Sequence, residues 1–278
     1  MPGSSPRIVL ISSCDRLAAL ACRHLFRPNS PMKIVGLVRT LLPLKTQATL
    51  VRSAIRAGAF FYLPFMFLEE HATAVALRLA TCSSTEHPPA PDIVTECSRL
   101  GIPVRDVTRI NDQESVGFIR HLQADLCLSV RPSVIFRTRM IDAVPPILNF
   151  HASLLPDYRG IGGIFQTLAS GSKQYGFSIH EIRNEEIDRG PIHTQCTLDV
   201  QPGQTLFQHT VRLYSRVSPA LIDAVERYTS GKQAKTNEGG SYFSWPVRKD
   251  LARFHATGRR LFLPTDIKRV VPDLCQGL

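Results

Sequence analysis

The 278-residue chain is poor in the features that mark several common protein classes. Its seven cysteines (Cys14, Cys22, Cys82, Cys97, Cys127, Cys196 and Cys275) are scattered, odd in number and include no C-x-x-C pair. That excludes a disulfide framework and a zinc ribbon. No H-x-x-x-H or carboxylate cluster at ligand spacing occurs, so no metal is expected. No G-x-G-x-x-G follows the first apolar run, and no G-x-x-x-x-G-K-[ST] occurs anywhere. The glycines of RGIGG (159–163) lie outside a first βα turn, so no motif indicates a dinucleotide or nucleoside triphosphate. The longest near-continuous apolar stretch, Ala57 to Leu68, is too short to span a bilayer and contains Pro64. The N-terminus has no apolar segment behind a basic start, so a signal peptide is not expected and a reducing, cytoplasmic setting is. No 20–50-residue repeat supports a solenoid.

What is present reads as a folded α/β protein. Hydrophobic residues make up 44% of the chain, an ordinary share that excludes general disorder. RIVLISS (7–13) and KIVGLVRT (33–40) are β-rich runs around a helical pattern through Leu17, Leu20, Ala21 and Leu25. A β-α-β opening of this kind starts a parallel sheet with crossover helices. Residues 41–90 interrupt the rhythm with helical segments, an aromatic run at 60–67 and a proline-rich loop at 87–91. The rhythm resumes with a helix at 92–100, a strand at 102–107, a helix at 115–123 and strands at 125–130 and 147–151. Two more strands follow, at 176–182 and 191–200, then one long amphipathic helix from about Thr205 to Thr229. The 47 residues after Gly231 are polar and basic and read as a tail or small subdomain rather than more sheet.

Chemistry is concentrated in LNFHASLLP (148–156). Asn149 and His151 are two apart, so an extended chain turns both to one face. At the carboxyl end of a parallel strand, that face opens on the crevice where such sheets hold ligands. An amide donor beside an imidazole suits a reaction in which a carbonyl oxygen gains negative charge. The pair alone is weak, since most N-x-H pairs are ordinary polar residues.

LNFHASLLPDYRG, followed some thirty residues later by EIDRGPI, resembles the formyltransferase superfamily, including its glycinamide ribonucleotide, methionyl-tRNA and sugar-amine enzymes. The resemblance extends more loosely over about 1–232. It implies a Rossmann-like, mostly parallel sheet with flanking helices as a catalytic domain at 1–232. A helical insertion at about 41–90 and a C-terminal extension at 233–278 would be added to it. It implies 10-formyltetrahydrofolate as co-substrate, and Asn149, His151 and Asp188 as catalytic residues. Asn149 and a protonated His151 would stabilise the oxyanion, with Asp188 favouring the imidazolium and taking the amine's proton. Read alone, Asp188 is a solvated turn acid beside Glu185 and Glu186. The folate would lie against Arg131, Pro132, Ser133, Val134 and Ile135, and against Ile182, Arg183, Asn184, Glu185, Glu186 and Ile187. Arg131-Pro132 departs from the family's usual small or aromatic residues. Ser153, Tyr158, Arg159 and Gly160 are expected to shape the site, with His180 behind it. His193 and His209 read as structural or surface groups.

The chain lacks the A-A-P of the tRNA enzyme and the length for its C-terminal barrel, and it has an insertion the purine enzyme lacks. The regulatory domain that usually precedes the deformylase is not seen. A small-molecule amine, phosphorylated or not, is therefore the expected acceptor, with no nucleic-acid partner; a homodimer stays open. Two other readings also stay open: a formyltetrahydrofolate hydrolase, and a non-catalytic or RNA-binding relative. The insertion reads chiefly as a buried helix pair, with a lid, a dimer surface or membrane-surface contact as alternatives. The net charge of +10 is uneven: residues 1–80 hold 10 basic and 3 acidic residues, 81–226 hold 13 and 16, and 227–278 hold 10 and 4. The surplus thus lies outside the motif segment and lacks the basic–aromatic interleaving of a nucleic-acid groove.

Overall fold

The computed structural model describes residues 5–83 and 92–275; the expected loop at 87–91 lies outside them. In chain order the elements are β1 (Arg7–Ser12), α1 (Arg16–Cys22), β2 (Lys33–Thr40), α2 (Leu44–Arg56), α3 (Tyr62–Ser83), α4 (Ile93–Arg99) and β3 (Val104–Val107). Then come α5 (Gln113–His121), β4 (Leu126–Val130), α6 (Thr138–Ile141), β5 (Ile147–His151), β6 (Arg159–Gly160), α7 (Gly163–Ala169), β7 (Gln174–Ile182) and β8 (Ile192–Asp199). The last are α8 (Leu206–Tyr214), α9 (Val217–Thr229), β9 (Tyr242–Phe243), α10 (Arg248–Ala256), α11 (Asp266–Arg269) and α12 (Val271–Cys275).

Seven strands form one sheet in the order β3-β2-β1-β4-β5-β7-β8. The first five are parallel, and β7 and β8 are antiparallel additions. The central strands read as near-continuous apolar runs because helices cover both faces. Within β1, Ile8 and Leu10 enter the core beneath α1, α8 and α9, while Val9 and Ile11 enter the opposite core with Val116 and Ile119 of α5. The chain runs outward from β1 through β2 to β3, then crosses back to place β4 on the other side of β1. That reversal opens the crevice at the carboxyl ends of β1 and β4.

Two expectations need correction. The single helix at 205–229 is broken into α8 and α9. Pro219 lacks an N–H and its ring clashes with the carbonyl four residues back, that of Ser215. The freed Ser215 carbonyl accepts from Arg23 Nη2 at 3.0 Å, and Arg23 Nη1 donates to the Leu274 carbonyl at 2.8 Å. Beyond Gly231 the chain also adds strand: β9 pairs with β6, and Ile192 bridges to Lys235. Phe254, Val270 and Leu274 enter the main core fully buried, although the composition of this stretch is polar and basic.

One core histidine sets a pH dependence of stability. His209 is fully buried; its Nδ1–H donates to the Thr205 carbonyl (2.7 Å) and its Nε2 accepts from the Gln201 N–H (3.2 Å). The bond that Nε2 accepts requires the neutral ring, and burial pushes its pKa down to about 4. The unfolded chain therefore binds this proton first, near pH 6.5. His209's contribution is complete above that pH and is lost as pH falls towards 4, by about 3 kcal/mol. Denaturant unfolding should show lower stability at pH 4 than at pH 7, with a smaller difference in His209→Asn.

Candidate active site

Three neighbouring strands bring one polar row together. Ser129 of β4 lies opposite Asn149 of β5, which lies opposite His180 of β7. Ser129 Oγ donates to Asn149 Oδ1 at 2.8 Å, which fixes the amide so that its nitrogen faces His180 Nε2 at 3.2 Å. His180 Nδ1–H donates to the Glu181 carbonyl at 3.2 Å, leaving Nε2 as acceptor in the neutral ring. Asn149 thus spends one N–H on His180 and keeps the second to give.

His151 ends β5 two residues on. Its Nε2–H donates to the Tyr158 carbonyl at 3.1 Å, so the neutral ring carries its lone pair on Nδ1. That nitrogen faces Asp188 Oδ2 at 3.4 Å, while Asp188 Oδ1 lies 3.4 Å from His180 Nε2. Burial pushes the His151 pKa below its usual value, outweighing the pull of Asp188 and the Tyr158 carbonyl. At pH 7 burial therefore favours the neutral imidazole, although Asp188 pulls towards the imidazolium. Burial pushes Asp188 up, but the charge of His151 and His180 when they carry a proton, with the Gly160 N–H, overcomes it and holds the carboxyl at about 2. A buried carboxylate thus faces the unprotonated nitrogen of a neutral imidazole, a site where an arriving proton is stabilised.

The turn carrying Asp188 is held from three sides. Asp188 has φ +55°, a left-handed conformation that Asp tolerates better than most residues. The Gly160 N–H donates to its Oδ2 at 2.9 Å, and Asn237 Nδ2 donates to the carbonyls of Asp188 (2.9 Å) and Gly190 (2.8 Å). Gly190 packs so tightly that an added Cβ would lie 1.6 Å from the Glu181 carbonyl oxygen. Gly190→Ala should therefore displace the turn and cost about 1–3 kcal/mol, read as a lower melting temperature.

A cavity of about 1250 Å³ opens over this cluster, larger than the roughly 300–1,000 Å³ that suits one drug-sized ligand. Asn149, His151, Gly160, His180 and Asp188 line it. So do Arg131 to Ile135, Ile182 and Asn184 to Ile187. Four expected residues do not. Arg183 pairs with Glu181, and Ser153 is buried with its hydroxyl on the Tyr158 carbonyl. Tyr158 stacks on Phe243, and Arg159 donates to the Gly240 carbonyl. Arg131 is drawn to one side, its Nε on Asp15 (2.8 Å) and its Nη1 on the Tyr214 hydroxyl (2.9 Å).

Other cavity residues went unread from sequence: Ser13 and Asp15 after β1, Leu42 and Leu50 of the insertion, and Tyr242 and Trp245 of the extension. For the first two a signal existed, because the turn after the first strand of such a sheet always borders the crevice. At that turn the protein supplies its own anions. Asp15 accepts the Ala18 N–H at 2.8 Å, and Glu70 of α3 accepts the Arg16 N–H at 3.1 Å.

Comparison with known proteins identifies the fold and the family. Among solved structures, glycinamide ribonucleotide transformylase 1 of Symbiobacterium toebii shares the fold with a TM-score of 0.57 at 16% identity, over 85% of this chain and 96% of its own. A sugar N-formyltransferase of a Shewanella species gives 0.53 at 16% identity, over 91% and 86%. In sequence, the methionyl-tRNA formyltransferase of Roseobacter denitrificans is 27% identical over 59% of this chain and 54% of its own. That of Thermotoga maritima is 30% identical over 47% and 42%. The chain spans about half the length of the curated relatives it matches. The sequence model of the family described as "Formyl transferase" covers residues 74–225, from α3 through the site strands into α9. With more than half its length so matched, the chain belongs to the formyl transferase family.

Proposed function

We propose that this protein transfers the formyl group of 10-formyltetrahydrofolate to a primary amine of a small molecule, with Asn149, His151 and Asp188 as its catalytic residues. The observation that carries this reading is their convergence: a spare amide N–H, a neutral imidazole and a buried carboxylate share the floor of one cavity. The donor supplies an electrophilic formyl carbon. The cavity wall suits a flat heterocycle, because the backbone N–H groups of Val134, Ile135 and Ile187 make no hydrogen bond within the protein among the described residues. These donors can read a pterin edge whatever side chains surround them.

Asn149 gives its second N–H to the carbonyl oxygen that becomes negative as the amine attacks. His151 Nδ1 takes the proton that the attacking amine loses, and Asp188 stabilises the imidazolium at 3.4 Å. The ring then returns that proton to the folate nitrogen as the bond from it to the formyl carbon breaks and tetrahydrofolate leaves. His180 keeps the Asn149 amide in place through its Nε2.

The acceptor is a small amine with no phosphate at the first βα turn, where Asp15 and Glu70 already occupy the N–H groups. The cavity wall is also close to balanced, with Asp15, Asp112, Glu185, Glu186 and Asp188 against Arg109, Arg131, Arg137 and Arg139. A nucleic-acid groove carries a strong positive excess instead. The test is incubation of the chain with 10-formyltetrahydrofolate and a panel of amino-sugars, amino acids and other amines. Tetrahydrofolate release that depends on one amine is expected. Formate release without any amine would replace the transferase with a hydrolase, and failure to bind the folate would end the proposal.

A further inference from the structure

The outer side of α2 is apolar where a surface helix is ordinarily polar, and its charges are positive. α2 turns Thr46 and Leu50 to the cavity and buries Ala54. Away from that side, Leu44, Ala48, Val51 and Ile55 recur at helical spacing as an exposed stripe. Leu44 is 82% exposed. Lys45, Arg52 and Arg56 form the next stripe, exposed and in no ion pair among the described residues. Phe60, between α2 and α3, is 66% exposed, and Phe67 on α3 is 69% exposed, with Leu68, Val75 and Leu79 also at the surface. Globular surface helices place polar residues at such positions.

The acids of residues 41–83 are Glu69 and Glu70, and both lie on α3 rather than α2. Glu69 is buried, and Glu70 sits on the Arg16 N–H. Among the described residues, the exposed side of α2 carries Lys45, Arg52 and Arg56 and no carboxylate.

We propose that this face docks on an anionic lipid surface, with the Leu44–Ile55 stripe sunk among the acyl chains and Lys45, Arg52 and Arg56 at the level of the phosphates. An apolar stripe flanked by unpaired cations is the pattern of helices that lie in the plane of a membrane. No described helix is long and apolar enough to cross one. A second copy of the chain would set cations against cations. A nucleic-acid backbone would satisfy the cations but leave Leu44, Val51 and Ile55 in water. Leu41, Pro43, Leu50 and Met66 of the same insertion line the catalytic cavity, so docking places its mouth beside the bilayer. The proposal does not depend on the formyl-transfer reading.

The test is flotation of the full chain with phosphatidylcholine vesicles, with and without phosphatidylglycerol. The protein is expected to float only with the anionic vesicles and to be released by salt. Each surface cation near such a membrane is worth about a fivefold change in partitioning, so Lys45→Gln/Arg52→Gln/Arg56→Gln should lower it on the order of 100-fold. Leu44→Ser/Val51→Ser/Ile55→Ser should abolish it with an unchanged circular dichroism spectrum, because all three side chains are exposed. Protein that stays at the bottom with anionic vesicles, or floats equally with neutral ones, would overturn the proposal. So would a dimer in sedimentation velocity that the serine variant dissociates, since a second copy would then be what covers the face.

Discussion

Asp188→Asn is expected to lower kcat/KM by about a thousandfold while the protein stays folded, in line with loss of a positioned acid–base partner. The carboxylate is the group that makes protonation of His151 Nδ1 favourable, and an amide offers that nitrogen no negative charge. The pH profile should change in a defined direction. Asp188 raises the His151 pKa, while burial lowers it further than Asp188 lifts it. Removing the charge lowers it again, so an acid limb set by His151, already below pH 6.5, moves to lower pH in the variant. A structural role for Asp188 would leave the limb in place. A carboxyl held at about 2 contributes stability above its unfolded pKa near 4 and loses it as pH falls through 2. Denaturant unfolding of wild type and variant below pH 4 separates this contribution from the catalytic loss.

Asn149→Ala is expected to cost on the order of 100–1,000-fold in kcat with little change in KM, the usual effect of removing one oxyanion donor. The side chain is half-buried on a central strand, and its amide is oriented by Ser129 rather than by the ligand. Ser129→Ala should then give a smaller fall in kcat, because the amide remains but its orientation is freed. Equal losses in the two variants would mean that the Ser129–Asn149 row supports the sheet instead of the reaction.

Much of this was legible in the sequence, for physical reasons that can be named. Buried parallel strands leave continuous apolar runs, so β1, β2, β4 and β5 could be read within a residue or two. The N-x-H spacing placed Asn149 and His151 on one face because strand side chains repeat every two residues. The break between α8 and α9 was missed although Pro219 signals it, because the apolar period runs through the break unchanged. The C-terminal residues misled by composition: Phe254, Val270 and Leu274 are three large apolar groups within a basic stretch. Tyr158 and Arg159 sit beside the site in sequence, yet the positive φ of Tyr158 (+54°) and of Gly160 (+92°) turns them elsewhere. Asn237 could not have been found, since it reaches the Asp188 turn from almost fifty residues away and carries no motif. The neutral state of His151 was equally hidden, because burial is a property of the whole fold.

The central claim is that the cavity over Asn149, His151 and Asp188 moves a formyl group from a folate to an amine. It is tested most directly by following an isotopically labelled formyl carbon from 10-formyltetrahydrofolate in the presence of the amine panel. The expected result is label in the N-formyl derivative of one amine, formed by the wild type and lost in Asp188→Asn and Asn149→Ala. Label that stays on the folate, or a product formed equally by all three proteins, would contradict the account.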